Sequence, residues 1–405
     1  MIGGIGSSGR NGATALLAAG MAVLAMSASA CERSSVVAPV ANATDSSVTT
    51  RPSEQDASLA EPPSAAPVTA LSEAPLHPLG VVDFHVDLGW AAHAKSARLT
   101  DDTRDASLSR LLRGEVGTLV VPLYVSAAYA MTPAEARRAY DSTFADAMAL
   151  FARDGAGRIS PPLAPKAPGK IRVRVSFEGA DGFVDAPEAA EKWVARGVCL
   201  FGLVHSRSNA LGGASQDPSR PKRKLGLTEA GKTLATRLVA HGALLDVAHA
   251  SDATADDLLA IAERAAAPVV DSHTGARAKV TIDRNLDDAR IARVARTGGI
   301  VALSLHSGHV GSHPGEPATL DDVVAHAVHL KNIAGADHVA IGSDLEGDIL
   351  LPTGVDGAAV WPELARRLAS NGFSEADLRK LFRDNGERVF SWAEAHGCGR
   401  QSLAN

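Results

Sequence analysis

From residue 80 onward the chain alternates two kinds of hydrophobic pattern. Eight short, near-continuous apolar runs recur at 80–86, 117–125, 171–177, 198–204, 243–248, 267–272, 299–305 and 338–343. Between them stand segments with apolar residues at three- and four-residue spacing, at 132–153, 228–241, 252–265, 286–297 and 319–334, followed by a last amphipathic segment at 374–395. Strands that are apolar on both faces belong to a parallel sheet covered on both sides, and the intervening helices supply the cover. Thr132-Pro133 offers an N-cap and then a residue preorganised for the first helical turn. Eight such units predict an α/β fold, a closed (βα)8 TIM-like barrel, rather than an open sheet. No G-x-G-x-x-G follows the first run, which argues against a dinucleotide-binding sheet.

Chemistry collects where the runs end. His85 and Asp87 follow VVDF, Glu178 follows VRVSF, His249 follows ALLDVA, His273 closes PVVDSH, and Asp344 follows VAIGS. A parallel barrel carries its reactive groups at the C-terminal ends of its strands, so residues far apart in sequence meet at one mouth. Two histidines and a carboxylate suffice for a catalytic zinc, and this set is large enough for two metals. Taken singly, the residues have ordinary readings. His-x-Asp is a common tripeptide, although period two places His85 and Asp87 on one face of the first strand with Asp83 behind them. A histidine at a strand end is as often a satisfied core residue as a ligand, and an aspartate there is often a helix cap. Glu178 is the least ordinary, because a carboxylate directly after five strand-type residues is costly unless it meets a cation.

Composition narrows the function. Hydrophobic residues make up 45% of the 405-residue chain, enough to fill a barrel core of the usual size of about 250 residues. The formal net charge is −6 with both signs interspersed, aromatics are only 4%, and the one basic run, Arg220-Pro221-Lys222-Arg223-Lys224, reads as a solvated loop. Nucleic-acid binding is therefore not expected. The three cysteines, Cys31, Cys199 and Cys398, show no paired spacing, so neither a disulfide framework nor a thiolate metal site is expected.

The first thirty residues read as a targeting segment. The apolar stretch from Ala15 to Met26 is too short to span a membrane, and Ala28-Ser29-Ala30 gives a small-residue cleavage pattern immediately before Cys31. Residues 1–30 thus resemble a bacterial lipoprotein signal, with Cys31 as the lipidated first residue of an exported, membrane-anchored protein. Ala28 departs from the leucine such signals prefer. Residues 31–76, rich in Ser, Ala, Pro and Thr, are expected to be a disordered tether leading to a catalytic domain at 77–397.

In order and spacing, DFHVDLGW (83–90), FEG (177–179), LVHSRSN (203–209), residues 226–251, APVVDSHTGAR (267–277), DRNL (283–286), IGSDLEG (341–347) and DNGERVF (384–390) resemble the membrane (renal-type) dipeptidases, the M19 peptidases of the amidohydrolase-like superfamily. The resemblance covers roughly residues 80–395. It implies two zinc ions per chain, with His85 and Asp87 on one, His249 and His273 on the other, and Glu178 bridging them. It also implies that His205 stabilises the substrate carbonyl, that Arg284 binds the terminal carboxylate of a dipeptide, and that Asp344 serves as the acid–base group for attack by a metal-bridging hydroxide. Dipeptides are then the substrates, and a homodimer is a further expectation.

The chain also departs from the family. Val86 and Gly89 stand where the family usually has Asn and Pro, and the second strand reads VVPLYV without the usual Gln pattern. After the seventh strand, His306 takes the place of an aromatic residue, with His309 and His313 beyond it in what reads as a solvated loop. Loss of that aromatic favours a different amide or lactone hydrolase, such as an N-acyl-amino-acid deacylase; Arg284 argues against it. A surface lipoprotein that binds ligands without catalysis would show an incomplete ligand set, and here the set is complete.

Overall fold

The computed structural model describes residues 78–125, 131–218, 225–313 and 316–400. The expected signal and tether, with Cys31, and the basic run at 220–224 lie outside the described residues. In chain order the elements are β1 (Val81–Asp83), α1 (Leu88–Lys95), α2 (Leu108–Arg113), β2 (Val116–Leu123), α3 (Pro133–Asp154), β3 (Arg172–Glu178), α4 (Pro187–Arg196), β4 (Leu200–Gly202), α5 (Glu229–Ala240), β5 (Leu244–Asp246), α6 (Asp252–Arg264), β6 (Val269–Thr274), α7 (Asp288–Arg296), β7 (Ile300–Leu303), α8 (Ser307–Val310), α9 (Leu320–Ala334), β8 (Val339–Ile341), α10 (Trp361–Ser370), α11 (Glu375–Arg379) and α12 (Asn385–His396). The strands pair in parallel and in sequence order, and β8 returns to β1 through Asp83 and Ile341, closing the barrel.

The apolar runs are buried on both faces, as a sheet wrapped by helices requires. Aromatic side chains fill the space between barrel and helices: Phe177 stacks on Phe201 at 5.1 Å and meets Tyr140 and Trp193 edge-on. Helix α3 begins where the sequence indicates. Thr132 accepts from Glu135 N–H, and the Glu135 carboxylate accepts from Thr132 N–H, forming a capping box with Pro133 in the first turn.

The final segment is not one continuous α-helix. A π-helical stretch, Lys380–Asp384, separates α11 from α12. Beyond it, Gly386 lets α12 lie directly on β1, since a Cβ there would sit 2.8 Å from a Val82 methyl and 2.9 Å from the Phe84 ring. Phe390 then stacks on Phe84 at 5.1 Å, and the Arg174 guanidinium lies 4.0 Å over the Phe390 ring.

The expectation of no disulfide is corrected. Cys199, just before β4, is bonded to Cys398, just after α12. The two are 199 residues apart in sequence, so no local spacing signals them; the fold brings their Cα atoms to 5.7 Å. Among the described residues no helix is long and apolar enough to cross a membrane.

Candidate metal centre

The strand ends deliver the candidate ligands to one mouth, though not always from within a strand. Strand β1 stops at Asp83, so His85 and Asp87 lie beyond it rather than on its face. Glu178 is the last residue of β3, and His273 is the fifth of the six residues of β6. His249 and Asp344 sit on turns after β5 and β8 in left-handed backbone, at φ of 62° and 68°.

Buried aspartates brace these turns. Asp83 Oδ1 accepts from the backbone N–H of His85 at 3.2 Å and of Ser343 at 2.8 Å, fastening the β1 and β8 turns together. Asp246 Oδ1 accepts from Ala248 and Ser272 N–H, both at 3.0 Å, and Asp271 Oδ1 accepts from His273 N–H at 3.3 Å. Burial pushes the Asp83 carboxyl up to about 6 and that of Asp271 up to about 7. Gly347 is needed for close approach: a Cβ there would lie 2.8 Å from both Asp344 Oδ1 and Asp87 Oδ2.

Glu178 Oε1 is the hub. It lies 3.0 Å from His249 Nε2, 3.5 Å from His85 Nε2, 3.6 Å from His273 Nε2 and 3.7 Å from His205 Nε2. His85 Nε2 is also 3.5 Å from Asp87 Oδ2. Three overlapping trios have their ligand atoms within 4.8 Å of one another: His85, Glu178 and His273; Glu178, His205 and His249; His85, Asp87 and Asp344.

This donor set fits a metal. Among the described residues His85 Nε2 is buried with no hydrogen-bond partner, an orphan of the kind a cation explains. The far sides of two rings are occupied: His249 Nδ1 lies 3.1 Å from Gln216 Oε1, and His273 Nδ1 lies 2.8 Å from Ser272 Oγ. Such outer contacts set the tautomer and leave Nε2 directed at the hub. Imidazole nitrogen with carboxylate oxygen, and no thiolate, suits zinc. Burial, reinforced by the nearby Arg284 charge, holds the His249 imidazole well below its usual range and so keeps it neutral for ligation. Burial, aided by the Asp87 and Glu178 charges against the opposing pull of His85, lifts the Asp344 carboxyl well above its usual range.

A cavity of about 320 Å³ opens over the cluster. Its walls include three residues that sequence reasoning missed, Trp90, Tyr124 and Gln216. The Trp90 and Tyr124 rings meet edge-on at 5.6 Å, and Tyr124 lies 4.4 Å from the His205 ring. Tyr124 immediately follows β2, so the strand-end rule that found Glu178 would also have found it. Trp90, on α1, and Gln216, on a loop, carry no such signal. Two histidines need correction: His306 and His309 also line the cavity, and His309 is only 5% exposed, so they do not belong to a solvated loop. The turn of α8 folds them inward, fastened by Ser307 N–H to Leu350 O at 2.8 Å; His313 alone of the three is exposed.

Arg284 is 4% exposed, with Nη2 donating to the His273 carbonyl at 2.6 Å. Its Nε and Nη1 are buried and, among the described residues, have no hydrogen-bond partner.

Dipeptidase ataJ of Aspergillus terreus is 29% identical over 243 residues, covering 56% of this chain and 58% of that protein. An uncharacterized dipeptidase of Schizosaccharomyces pombe is 28% identical over 228 residues, covering 56% of this chain and 54% of that protein. The matched part of the chain thus spans little more than half the length of these two relatives. Among solved structures, dipeptidase AC, a metallopeptidase of family M19, is 25% identical with a TM-score of 0.65, covering 79% of this chain and 98% of that one. A metallopeptidase from Rhodobacter sphaeroides, at 24% identity and a TM-score of 0.65 over 78% of this chain and 98% of that one, shares the fold. The model of the membrane dipeptidase family, peptidase family M19, matches residues 73–402, and the chain belongs to that family.

Proposed function

We propose that the protein is a zinc-dependent dipeptidase that holds two ions between the ligand pairs His85–Asp87 and His249–His273, with Glu178 shared. The observation that carries this reading is the convergence of four imidazole nitrogens on one oxygen of a buried glutamate. Zinc bound there would acidify a water and polarise the scissile carbonyl. The protein's own groups would do the rest. His205, which lines the cavity with Nε2 3.7 Å from Glu178 Oε1, would donate to the carbonyl oxygen as charge develops. Asp344, buried beside His85 and Asp87 and lining the cavity, is placed to take a proton and return it to the departing amine. Arg284 has two buried N–H groups without partners, and a substrate carboxylate would satisfy them.

We also place the enzyme outside the cytoplasm, anchored through Cys31. Two features support this reading: the signal pattern before Cys31, and the Cys199–Cys398 disulfide, since such bonds persist in oxidising compartments. Mass spectrometry of the mature N-terminus tests it. A diacylated or triacylated Cys31 is expected, and an unmodified Cys31 on a soluble protein would remove the anchor.

The activity is tested with a dipeptide panel offered as free acids and as C-terminal amides. Hydrolysis of the acids with little of the amides is expected. Equal hydrolysis of both would favour an amide hydrolase that does not read a carboxylate, such as a deacylase.

A further inference from the structure

His306 and His309 line the cavity, yet the proposed chemistry gives them no task. His306 Nδ1 accepts a hydrogen bond from Gly308 N–H at 3.0 Å. A ring nitrogen that accepts carries no proton, so this imidazole is neutral with its hydrogen on Nε2. Burial, followed by the Arg284 charge, lowers its proton affinity and acts in the same direction. Ser304 Oγ accepts from His306 N–H at 2.9 Å and lies 3.2 Å from His309 Nδ1. When the serine hydrogen is donated to that nitrogen, the His309 proton sits on Nε2 as well. The two rings lie 4.4 Å apart, and among the described residues neither Nε2 has a protein partner. The β7–α8 turn therefore builds a neutral N–H donor of fixed tautomer, His306, into the substrate cavity, with the His309 ring beside it.

We propose that His306, backed by His309, is a specificity-determining residue whose Nε2–H donates to an sp² oxygen on the side chain of the substrate's C-terminal residue, selecting carboxamide or carboxylate side chains over apolar ones of the same length. This rests on the dipeptidase reading. The C-terminal residue is the one concerned because Arg284, assigned to the terminal carboxylate, is followed directly by Asn285, whose Nδ2 donates to the His309 carbonyl at 2.8 Å and ties the two segments together. The selection is physical: an apolar side chain would strip water from this N–H group and leave it unsatisfied, whereas an oxygen acceptor replaces that water.

The test is kcat/KM of the full-length metal-loaded enzyme for Gly-Gln, Gly-Glu and the apolar near-isostere Gly-Met. The wild type should favour Gly-Gln or Gly-Glu over Gly-Met by about tenfold or more, the worth of one buried hydrogen bond. The order of Gln and Glu distinguishes amide from carboxylate. His306→Phe keeps a ring but removes the donor and should bring the ratio to about unity. His306→Gln, whose amide nitrogen restores a donor, should keep the preference. His313→Phe, an exposed change on the same loop, should leave the ratio as it is. Equal kcat/KM for all three dipeptides in the wild type, or a preference that survives His306→Phe, overturns this inference alone. Hydrolysis of none of the three overturns the dipeptidase reading and this inference with it.

Discussion

His249 Nε2 and His273 Nε2 lie 3.0 Å apart at the ends of neighbouring strands, and both face Glu178 Oε1. At most one of these nitrogens needs a proton for a hydrogen bond between them, yet both are also within 3.6 Å of the carboxylate. A cation is the simplest common partner for all three atoms.

Ser272 holds His273 from behind, with Oγ 2.8 Å from Nδ1. Ser272→Ala should leave the fold intact and weaken metal affinity by roughly 10- to 100-fold, the usual loss for an outer contact to a ligating histidine. Competition with a chromogenic chelator measures it; unchanged affinity would show that the serine does not orient the ring.

Arg284→Ala removes the group assigned to the substrate carboxylate. The loss should be on the order of 2–4 kcal/mol, or roughly 30- to 1000-fold in kcat/KM for free-acid dipeptides, with a much smaller effect on their C-terminal amides. Arg284 also donates to the His273 carbonyl. Metal content of the variant therefore has to be measured alongside, and retention of both ions is expected.

Reduction of the Cys199–Cys398 bond, or Cys398→Ser, frees the segment after α12 from the start of β4. Loss of a native crosslink closing so long a loop should cost roughly 2–5 kcal/mol. A lowered Tm at unchanged metal content is the expected calorimetric result. An unchanged Tm would mean that the disulfide contributes no stability.

Asp154, at the end of α3, is buried and gathers Arg153, Arg98 and the Leu99 N–H. The side-chain hydrogen bonds from Arg153 and Arg98 outweigh burial and hold its carboxyl well below the usual range. A folded-state pKa that is depressed contributes stability above the unfolded value, near 4, and loses it as pH falls through the folded value. Asp154→Asn should therefore destabilise by about 1–3 kcal/mol at neutral pH, with the gap to wild type closing only in strong acid. A gap that widens on acidification would contradict this assignment.

The barrel was legible because its signal is repetitive: eight runs with both faces buried can make only a wrapped parallel sheet. Boundaries were less legible, and β1 shows why. Residues 84–87 are as buried as the strand itself, so burial pattern does not reveal that the chain has already left the sheet to aim His85 and Asp87 inward. The metal-ligand candidates were legible because they sit at strand ends. His306 and His309 were misread because polar residues after a strand look solvated, and only the fold shows α8 turning them into the cavity. Cys199 and Cys398 are paired by tertiary structure alone, and the π-helical stretch before Asn385 has an amphipathic pattern indistinguishable from the α-helices beside it.

The most direct test of the central claim is metal content, measured by mass spectrometry on the full-length wild type and on Glu178→Ala, together with dipeptide hydrolysis before and after chelation. Two zinc ions per wild-type chain are expected, fewer in the variant, with activity falling by at least about 100-fold in the variant and on chelation, and returning when zinc is restored to the wild type. Undiminished hydrolysis by metal-free protein, or a Glu178→Ala variant that keeps both ions, would contradict a metal centre organised by Glu178.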